Sequence, residues 1–171
     1  MHITLYYCFT ITIFLLLNIS RIADAATRQT KYLSQANQFM DPQNAARSAN
    51  RIPPLAWDAK LARYAQWYAS QRRFDCALRH SNGPYGENIF WGSGIEWTPA
   101  QAVTAWVSER KSYNYWANSC ATRQQCGHYT QIVWRSTSKV GCARVNCFGG
   151  RGVFMVCNYD PPGNYIGERP Y

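Results

Sequence analysis

The hydrophobic positions divide the chain into an apolar N-terminal run and a longer region of mixed periodicity. Residues 3–19 are almost wholly apolar or aromatic, and residues 23–25 (Ala-Asp-Ala) have the small-x-small form of a signal-peptidase site. The run is short for a membrane span, and the cleavage-like site follows it directly. We interpret residues 1–25 as a secretory signal, with a transmembrane anchor as the alternative, and residues 26–171 as a single domain.

Three segments of this domain have the polar and apolar spacing of amphipathic helices. The first covers residues 31–49. The second begins after Asp58, a suitable N-cap, and runs to Arg73. The third begins at Thr98, where Gln101 completes a capping box.

Shorter apolar runs predict strands. These are residues 87–91, 140–145 and 153–159, and the last two flank a turn at residues 149–150 (Gly-Gly). The aromatic and β-branched content of residues 127–137 suits both a short helix and a strand. The pattern as a whole predicts an α+β domain.

The third helix has an acidic residue at an unexpected position. Ala102, Ala105 and Trp106 define its apolar face, and Glu109 falls on the same stripe. A carboxylate there is costly unless it is paired or bound to a cation. Either the helix is rotated so that Glu109 lies at the rim beside a neighbouring cation, or the carboxylate faces a cleft. Glu87 poses the same question.

The chain is basic and rich in aromatic residues. Its formal net charge is +9, and it contains 7 Trp and 12 Tyr. This charge favours anionic surfaces such as cell-wall polymers or microbial membranes. The cations are scattered, which excludes the basic stripe of a nucleic-acid-binding module, and we interpret most of them as solvated. They include Arg47, Arg63, Arg72, Arg110, Arg123 and Arg151.

Six cysteines remain after the predicted signal, and an even number in a secreted domain indicates disulfides. A zinc cluster is the competing interpretation, although no Cys-x-x-Cys pair exists. Cys142 and Cys157 are placed symmetrically about the Gly-Gly turn, so a hairpin would bring them opposite each other. The other hypothesised pairs are Cys120–Cys126 and Cys76–Cys147.

Only two histidines lie in residues 26–171, His80 and His128. Imidazole titrates near neutral pH and is the commonest metal ligand in proteins, so both are candidate functional residues.

Two long motifs resemble the signatures of the CAP superfamily, which comprises cysteine-rich secretory proteins, antigen 5 and pathogenesis-related class 1 proteins (the SCP domain). The motifs are residues 127–137 and residues 154–165. Shorter segments resemble the plant class 1 members, and the resemblance covers essentially all of residues 26–171. These segments are residues 54–58, 86–89, 106–109 and 169–171.

The resemblance implies a three-layer α-β-α sandwich with a small antiparallel sheet, stabilised by disulfides. It also implies that the segment from His128 onward is a short helix. The cleft tetrad of the family corresponds to His80, Glu87, Glu109 and His128. Its two histidines resemble ligands of a divalent metal such as zinc, weakly bound and not obligatory.

The resemblance further implies a plant defence protein, secreted to the apoplast and monomeric, that acts on fungi and oomycetes. Sterols or other lipids of microbial membranes are the expected ligands, with Tyr113, Tyr115 and Trp116 as a candidate binding wall. Residues 161–171 resemble a releasable C-terminal signalling peptide with its own receptor. Nucleic acid is not an expected partner.

The alternative function is a metal-dependent hydrolase. In that case Glu87 or Glu109 would activate a water bound to the cation. Two histidines are fewer than the three protein ligands usual at catalytic zinc, so we do not expect catalysis.

Overall fold

A computed structural model describes the backbone of residues 2–171 and the side chains of residues 18–32 and 34–171. The chain divides into two units, Met1–Gln35 and Ala36–Tyr171, and helix α1 (His2–Ala49) begins in the first. The predicted helix over residues 31–49 therefore starts much earlier. Most side chains of the predicted signal lie outside the described residues, so the signal stays a prediction. Within the part that is described, no helix is long and apolar enough to cross a membrane.

Nine further α-helices and β-strands follow α1 in chain order, and two short 3-10 helices lie among them at Glu109–Ser112 and Phe148–Gly150. The nine are β1 (Ala56–Trp57), α2 (Ala59–Arg72), β2 (Gly86–Gly92), α3 (Pro99–Ser108), β3 (Tyr113–Asn114), β4 (Ser119–Cys120), α4 (Gly127–Ile132), β5 (Lys139–Asn146) and β6 (Val153–Asp160). Strands β2, β5 and β6 and helices α2 and α3 confirm the elements predicted from the sequence. Within segment 127–137, residues 127–132 form a helix and none of the residues lies in a strand.

The main sheet has the strand order β1-β5-β6-β2. Strand β6 pairs antiparallel with both neighbours, whereas β1 pairs parallel with β5, with Ala56 opposite Lys139. The predicted small antiparallel sheet is present as β2, β5 and β6, and the short parallel strand β1 at its edge makes the whole sheet mixed. A two-residue strand is too short to leave an alternating pattern in the sequence. Strands β3 and β4 form a separate hairpin.

Helices cover both faces of the sheet and enclose two hydrophobic cores. On one face α2 contributes Ala65 and Tyr68, which cluster with Phe154 and Val156 of β6. On the other face residues of α1, α3 and α4 pack against the alternate positions of β5 and β6. These include Phe39, Trp106, Ile132, Val140 and Met155. This arrangement confirms the three-layer α-β-α sandwich.

Helix α2 begins as its sequence predicts. Asp58 Oδ1 accepts hydrogen bonds from the backbone N–H groups of Lys60 (2.7 Å) and Leu61 (3.0 Å). These two groups have no partner inside the helix, and a side-chain acceptor satisfies them.

Helix α3 begins with the predicted capping box of Thr98 and Gln101, but its buried face differs from the prediction. Ala105 is exposed, and Val103 is buried beside Ala102 and Trp106. The inward stripe is therefore rotated by part of a turn. Alanine suits both faces of a helix, so Ala105 gave a weak signal.

Three disulfides join the domain, and they are the pairs hypothesised from the sequence. Cys142 and Cys157 lie opposite each other in the β5–β6 hairpin. The other pairs are Cys76–Cys147 and Cys120–Cys126.

Arg47 is buried inside the domain and is therefore an exception to the interpretation of most cations as solvated. Its side chain is 1% exposed, and burial lowers its pKa to about 10. The guanidinium donates to the carbonyl oxygens of Pro53 (2.7 Å), Ile132 (2.9 Å), Trp134 (2.8 Å) and Thr137 (2.8 Å). These bonds connect α1 to the segment that follows α4.

Replacing Arg47 by methionine is expected to lower the free energy of unfolding by at least about 3 kcal/mol, because four carbonyl groups lose their donor. Urea unfolding of the disulfide-intact protein measures this change. The control is Arg63→Met on the exposed side of α2, where we expect a loss below about 0.5 kcal/mol. A loss below about 1 kcal/mol for Arg47→Met would show that water replaces these bonds easily.

Candidate functional site

Glu109, which follows α3, holds the start of α4. Its Oε1 lies 2.6 Å from Nδ1 of His128, and its Oε2 accepts from the backbone N–H groups of His128 (3.0 Å) and Tyr129 (3.3 Å). The carboxylate thus orients the imidazole and also satisfies two N–H groups at the first turn of a helix. It pairs with His128 and not with a neighbouring cation, which decides the question that the sequence left open.

The surroundings of Glu109 favour its ionised form. Burial by itself raises the pKa of this carboxyl, but the hydrogen bonds from His128 and from two backbone groups outweigh it and hold the pKa below its usual range. The imidazole of His128 also stacks on Trp106, with ring centroids 5.9 Å apart and planes 21° apart.

His80 and Glu87 form a second pair of the same kind. Nδ1 of His80 lies 2.9 Å from Glu87 Oε1, which also accepts from the Ser81 N–H (2.8 Å). Glu87 Oε2 accepts from Asn158 (3.1 Å), the residue opposite Glu87 in the β2–β6 register. The Glu87 side chain is 6% exposed, whereas that of His80 is 54% exposed.

The two members of this pair shift each other's titration. The hydrogen bond to Glu87 raises the pKa of His80. Burial raises the pKa of Glu87, but the hydrogen bonds from His80, Ser81 and Asn158 together lower it below the usual value.

The four predicted tetrad residues form two hydrogen-bonded pairs, His80 with Glu87 and Glu109 with His128. Asn88, next to Glu87, donates to the carbonyl oxygen of His128 (3.0 Å) and so links β2 with α4. A cavity of about 220 Å³ beside His80 and Glu87 is also lined by Gln131. Within the described residues, no three His, Cys, Asp or Glu side chains form a group that could hold a metal ion.

The chemistry of each pair suits a metal-binding histidine nevertheless. Each imidazole uses Nδ1 for its carboxylate, which leaves Nε2 as the nitrogen for a ligand. A carboxylate behind the imidazole is the usual outer partner of such a histidine. In both pairs the carboxylate, Glu87 or Glu109, thus lies on the Nδ1 side of the ring, and Nε2 is the nitrogen left for a ligand.

The β3–β4 hairpin carries the aromatic residues predicted as a lipid-binding wall. Trp116 is 82% exposed, and Tyr115 stacks on Tyr171 with centroids 4.9 Å apart. Tyr113 lies 6.2 Å from the ring of Tyr129 in α4. The hairpin is thus in contact with the end of the chain on one side and with α4 on the other.

The C-terminal segment 161–171 is bound to this hairpin. Asn118 donates to the carbonyl oxygen of Glu168 (3.0 Å), and Arg169 donates to that of Trp116 (3.0 Å). Residues 164–169 are nevertheless exposed throughout. Sequence reasoning missed these contacts, because only the folded chain brings the hairpin and the tail together.

A second cavity, of about 390 Å³, lies beside the end of α1 and was not predicted from the sequence. It is lined by apolar and aromatic residues together with one amide and two cations, namely Ala46, Ala49, Val107, Tyr129, Asn50, Arg110 and Lys111. No local motif marks it, because its walls come from three separate parts of the chain.

Comparison with known proteins decides the family. The sequence model of the cysteine-rich secretory protein family, CAP, matches residues 40–159. The chain belongs to the CAP family. It is 60% identical to the pathogenesis-related protein PR-1 of Medicago truncatula over 97% of this chain and 99% of that protein. It is 51% identical to pathogenesis-related protein 1C of Nicotiana tabacum over 94% of this chain and 90% of that protein. These relatives place it among the plant class 1 proteins.

The fold of this CAP domain also matches solved structures. The crystal structure of NaASP2 with Zn²⁺ gives a TM-score of 0.64 at 26% identity, covering 80% of this chain and 84% of that one. Both tetrad pairs lie in the matched family region, since it extends from residue 40 to residue 159.

The pair of His80 and Glu87 is expected to stabilise this CAP domain more strongly at mildly acidic pH than at alkaline pH. Because the folded pKa of His80 is raised from 6.5, its contribution is present below that value and is lost as the pH rises through the folded pKa. A cycle of His80→Gln, Glu87→Gln and the double variant, unfolded in urea, should give a coupling of about 0.5–1 kcal/mol at about pH 5.5 and close to none at about pH 8.5. Equal coupling at both pH values would contradict this assignment.

Proposed function

We propose that this CAP protein is a secreted plant defence protein that acts against fungi and oomycetes by binding sterols or related membrane lipids. Its relatives in Medicago and tobacco are named pathogenesis-related proteins, which supports the defence role. The observation that carries lipid binding is the 390 Å³ cavity, which lies next to the aromatic hairpin through Tyr129.

The volume of this cavity favours it over the cavities beside His80 and Trp97. Small-molecule sites in proteins occupy about 300–1,000 Å³. The cavity beside His80, at about 220 Å³, and the cavity beside Trp97, at about 250 Å³, are both smaller.

The lining of the cavity suits an amphipathic lipid. Ala46, Ala49 and Val107 offer apolar surface to a ring system or an acyl chain. Arg110 and Lys111 bring hydrogen-bond donors for a hydroxyl or carboxyl head group. The exposed ring of Trp116 on the adjoining hairpin suits contact with a membrane from which a lipid is taken.

Filling the cavity tests this proposal. Sterol titrations should show that Ala49→Trp weakens binding at least about tenfold, because an indole occupies the space of the ligand. Ala45→Trp is the matched control, since Ala45 is exposed on the same helix and does not line the cavity. The hairpin variant Tyr115→Ala/Trp116→Ala is also expected to bind less sterol. Unchanged binding in Ala49→Trp would contradict the proposed site.

The same titration separates lipid binding from the tetrad. We propose that His80 and His128 hold a divalent metal such as zinc weakly and that this metal is not required for lipid binding. The structural similarity to NaASP2, which was crystallised with Zn²⁺, supports the proposal that the two histidines bind a metal. The variant His80→Ala/His128→Ala should lose zinc in calorimetry and keep its sterol affinity. Loss of sterol binding in this variant would contradict their separation.

Metal-dependent hydrolysis remains the alternative, and no specific observation favours it. Each pair supplies one histidine and one carboxylate, whereas catalytic zinc usually has three protein ligands.

Release of residues 161–171 as a signalling peptide, recognised by its own receptor, is a second proposal. The exposure of residues 164–169 supports it, because an exposed chain end is accessible to proteases. The stacking of Tyr171 on Tyr115 opposes release, so Tyr171→Ala should increase the yield of the fragment. Mass spectrometry of extracellular fluid from stressed tissue measures the yield, and absence of the 161–171 fragment in both forms would contradict the proposal.

A further inference from the structure

Two phenylalanine side chains lie exposed on the surface beside the Cys76–Cys147 disulfide. Phe74 is 73% exposed and Phe148 is 43% exposed, and their ring centroids are 4.8 Å apart. The backbone N–H of Phe148 donates to the carbonyl oxygen of Arg73 (2.8 Å). The disulfide and this bond fix the two rings next to each other on folded backbone.

Arginine side chains surround the two rings. The guanidinium carbon of Arg73 lies 4.4 Å from the centre of the Phe148 ring. Arg151 donates to the carbonyl oxygens of Phe148 (3.2 Å) and Phe74. We call Arg73, Phe74, Phe148 and Arg151 the basic aromatic patch.

The surroundings of the patch remain positive. The acidic residue next to Phe74 in the sequence, Asp75, forms an ion pair with Arg72 (3.4 Å). Arg79 follows in the same stretch and is exposed. The patch therefore presents uncompensated positive charge around two exposed apolar rings.

We propose that the basic aromatic patch docks the protein on the surface of an anionic phospholipid bilayer. Exposed apolar rings among cations are suited to the headgroup boundary, where the rings bury apolar area and the cations meet anionic lipid. Guanidinium groups bind phosphate oxygens strongly, and the nitrogens of Arg73 and Arg151 that do not donate to backbone carbonyls are left for this contact.

The geometry of the rings favours a bilayer over an acidic polysaccharide. The planes of Phe74 and Phe148 are tilted by 57°, so they do not form one flat platform on which a sugar ring could stack. A soluble polyanion would attract the arginines alone and would leave both rings in water, whereas a bilayer accepts the charges and the rings together.

This docking surface is separate from the proposed lipid-binding cavity. None of its four residues lines that cavity or belongs to the β3–β4 hairpin. Binding to vesicles that contain no sterol therefore tests the patch without depending on sterol recognition, and either proposal can fail alone.

The test is co-flotation with sterol-free vesicles of phosphatidylglycerol and phosphatidylcholine, using the full chain produced in a secreting host with its N-terminus determined. Phe74→Ser/Phe148→Ser should weaken binding at least about tenfold, because the rings no longer bury apolar area. Arg73→Gln/Arg151→Gln should weaken it about fivefold for each charge removed. Vesicles of phosphatidylcholine alone should bind the wild-type protein poorly.

Matched control variants remove positive charges or an exposed apolar side chain at positions outside the basic aromatic patch. Arg28→Gln/Lys31→Gln deletes two exposed charges, and Ile166→Ser deletes a fully exposed apolar side chain, so both should bind nearly as the wild type does. Circular dichroism checks the fold, and if the phenylalanine variant fails to fold, the arginine variant decides. Wild-type affinity in a folded patch variant would overturn the proposal. So would equal binding to neutral vesicles, or binding to polygalacturonate without binding to vesicles.

Discussion

The buried guanidinium of Arg47 fixes the part of the fold on which the candidate sites depend. A cation in the protein interior is costly unless its donors are satisfied, and within the described residues no carboxylate pairs with this one. Backbone carbonyls accept the hydrogen bonds of this guanidinium instead. Three of them belong to the last residue of α4 and to the loop that follows it. Glu109 holds the other end of the same helix. A helix of six residues has little stability of its own, so these two charged side chains set its position.

Helix α4 in turn connects the two candidate sites. Its His128 belongs to the tetrad, whereas its neighbour Tyr129 lines the larger cavity and contacts the aromatic hairpin through Tyr113. Successive residues of a helix point in different directions, so one short helix serves two separate surfaces. This arrangement would allow the proposed metal-binding pair and the proposed lipid site to lie on adjacent residues and still act independently.

Local rules in the sequence predicted the features that depend on neighbouring residues. The caps at Asp58 and Thr98 and the Cys142–Cys157 hairpin follow from short-range chemistry, and all three are present. The tetrad came from family resemblance, because nothing in the spacing of its members along the chain brings them together. The burial of Arg47 could not be predicted from the sequence, since its acceptors lie up to 90 residues away. The larger cavity and the contacts of the C-terminal tail were missed for the same reason.

The central claim is that lipid binds beside the aromatic hairpin and not between the histidine–glutamate pairs. The most direct measurement is a two-dimensional NMR spectrum of the isotope-labelled protein, recorded with and without a saturating sterol. The account predicts that the signals of residues 46–50, 107–116 and 129 shift, while those of His80 and Glu87 stay in place. Shifts at His80 and Glu87 with unchanged signals around the larger cavity would contradict it.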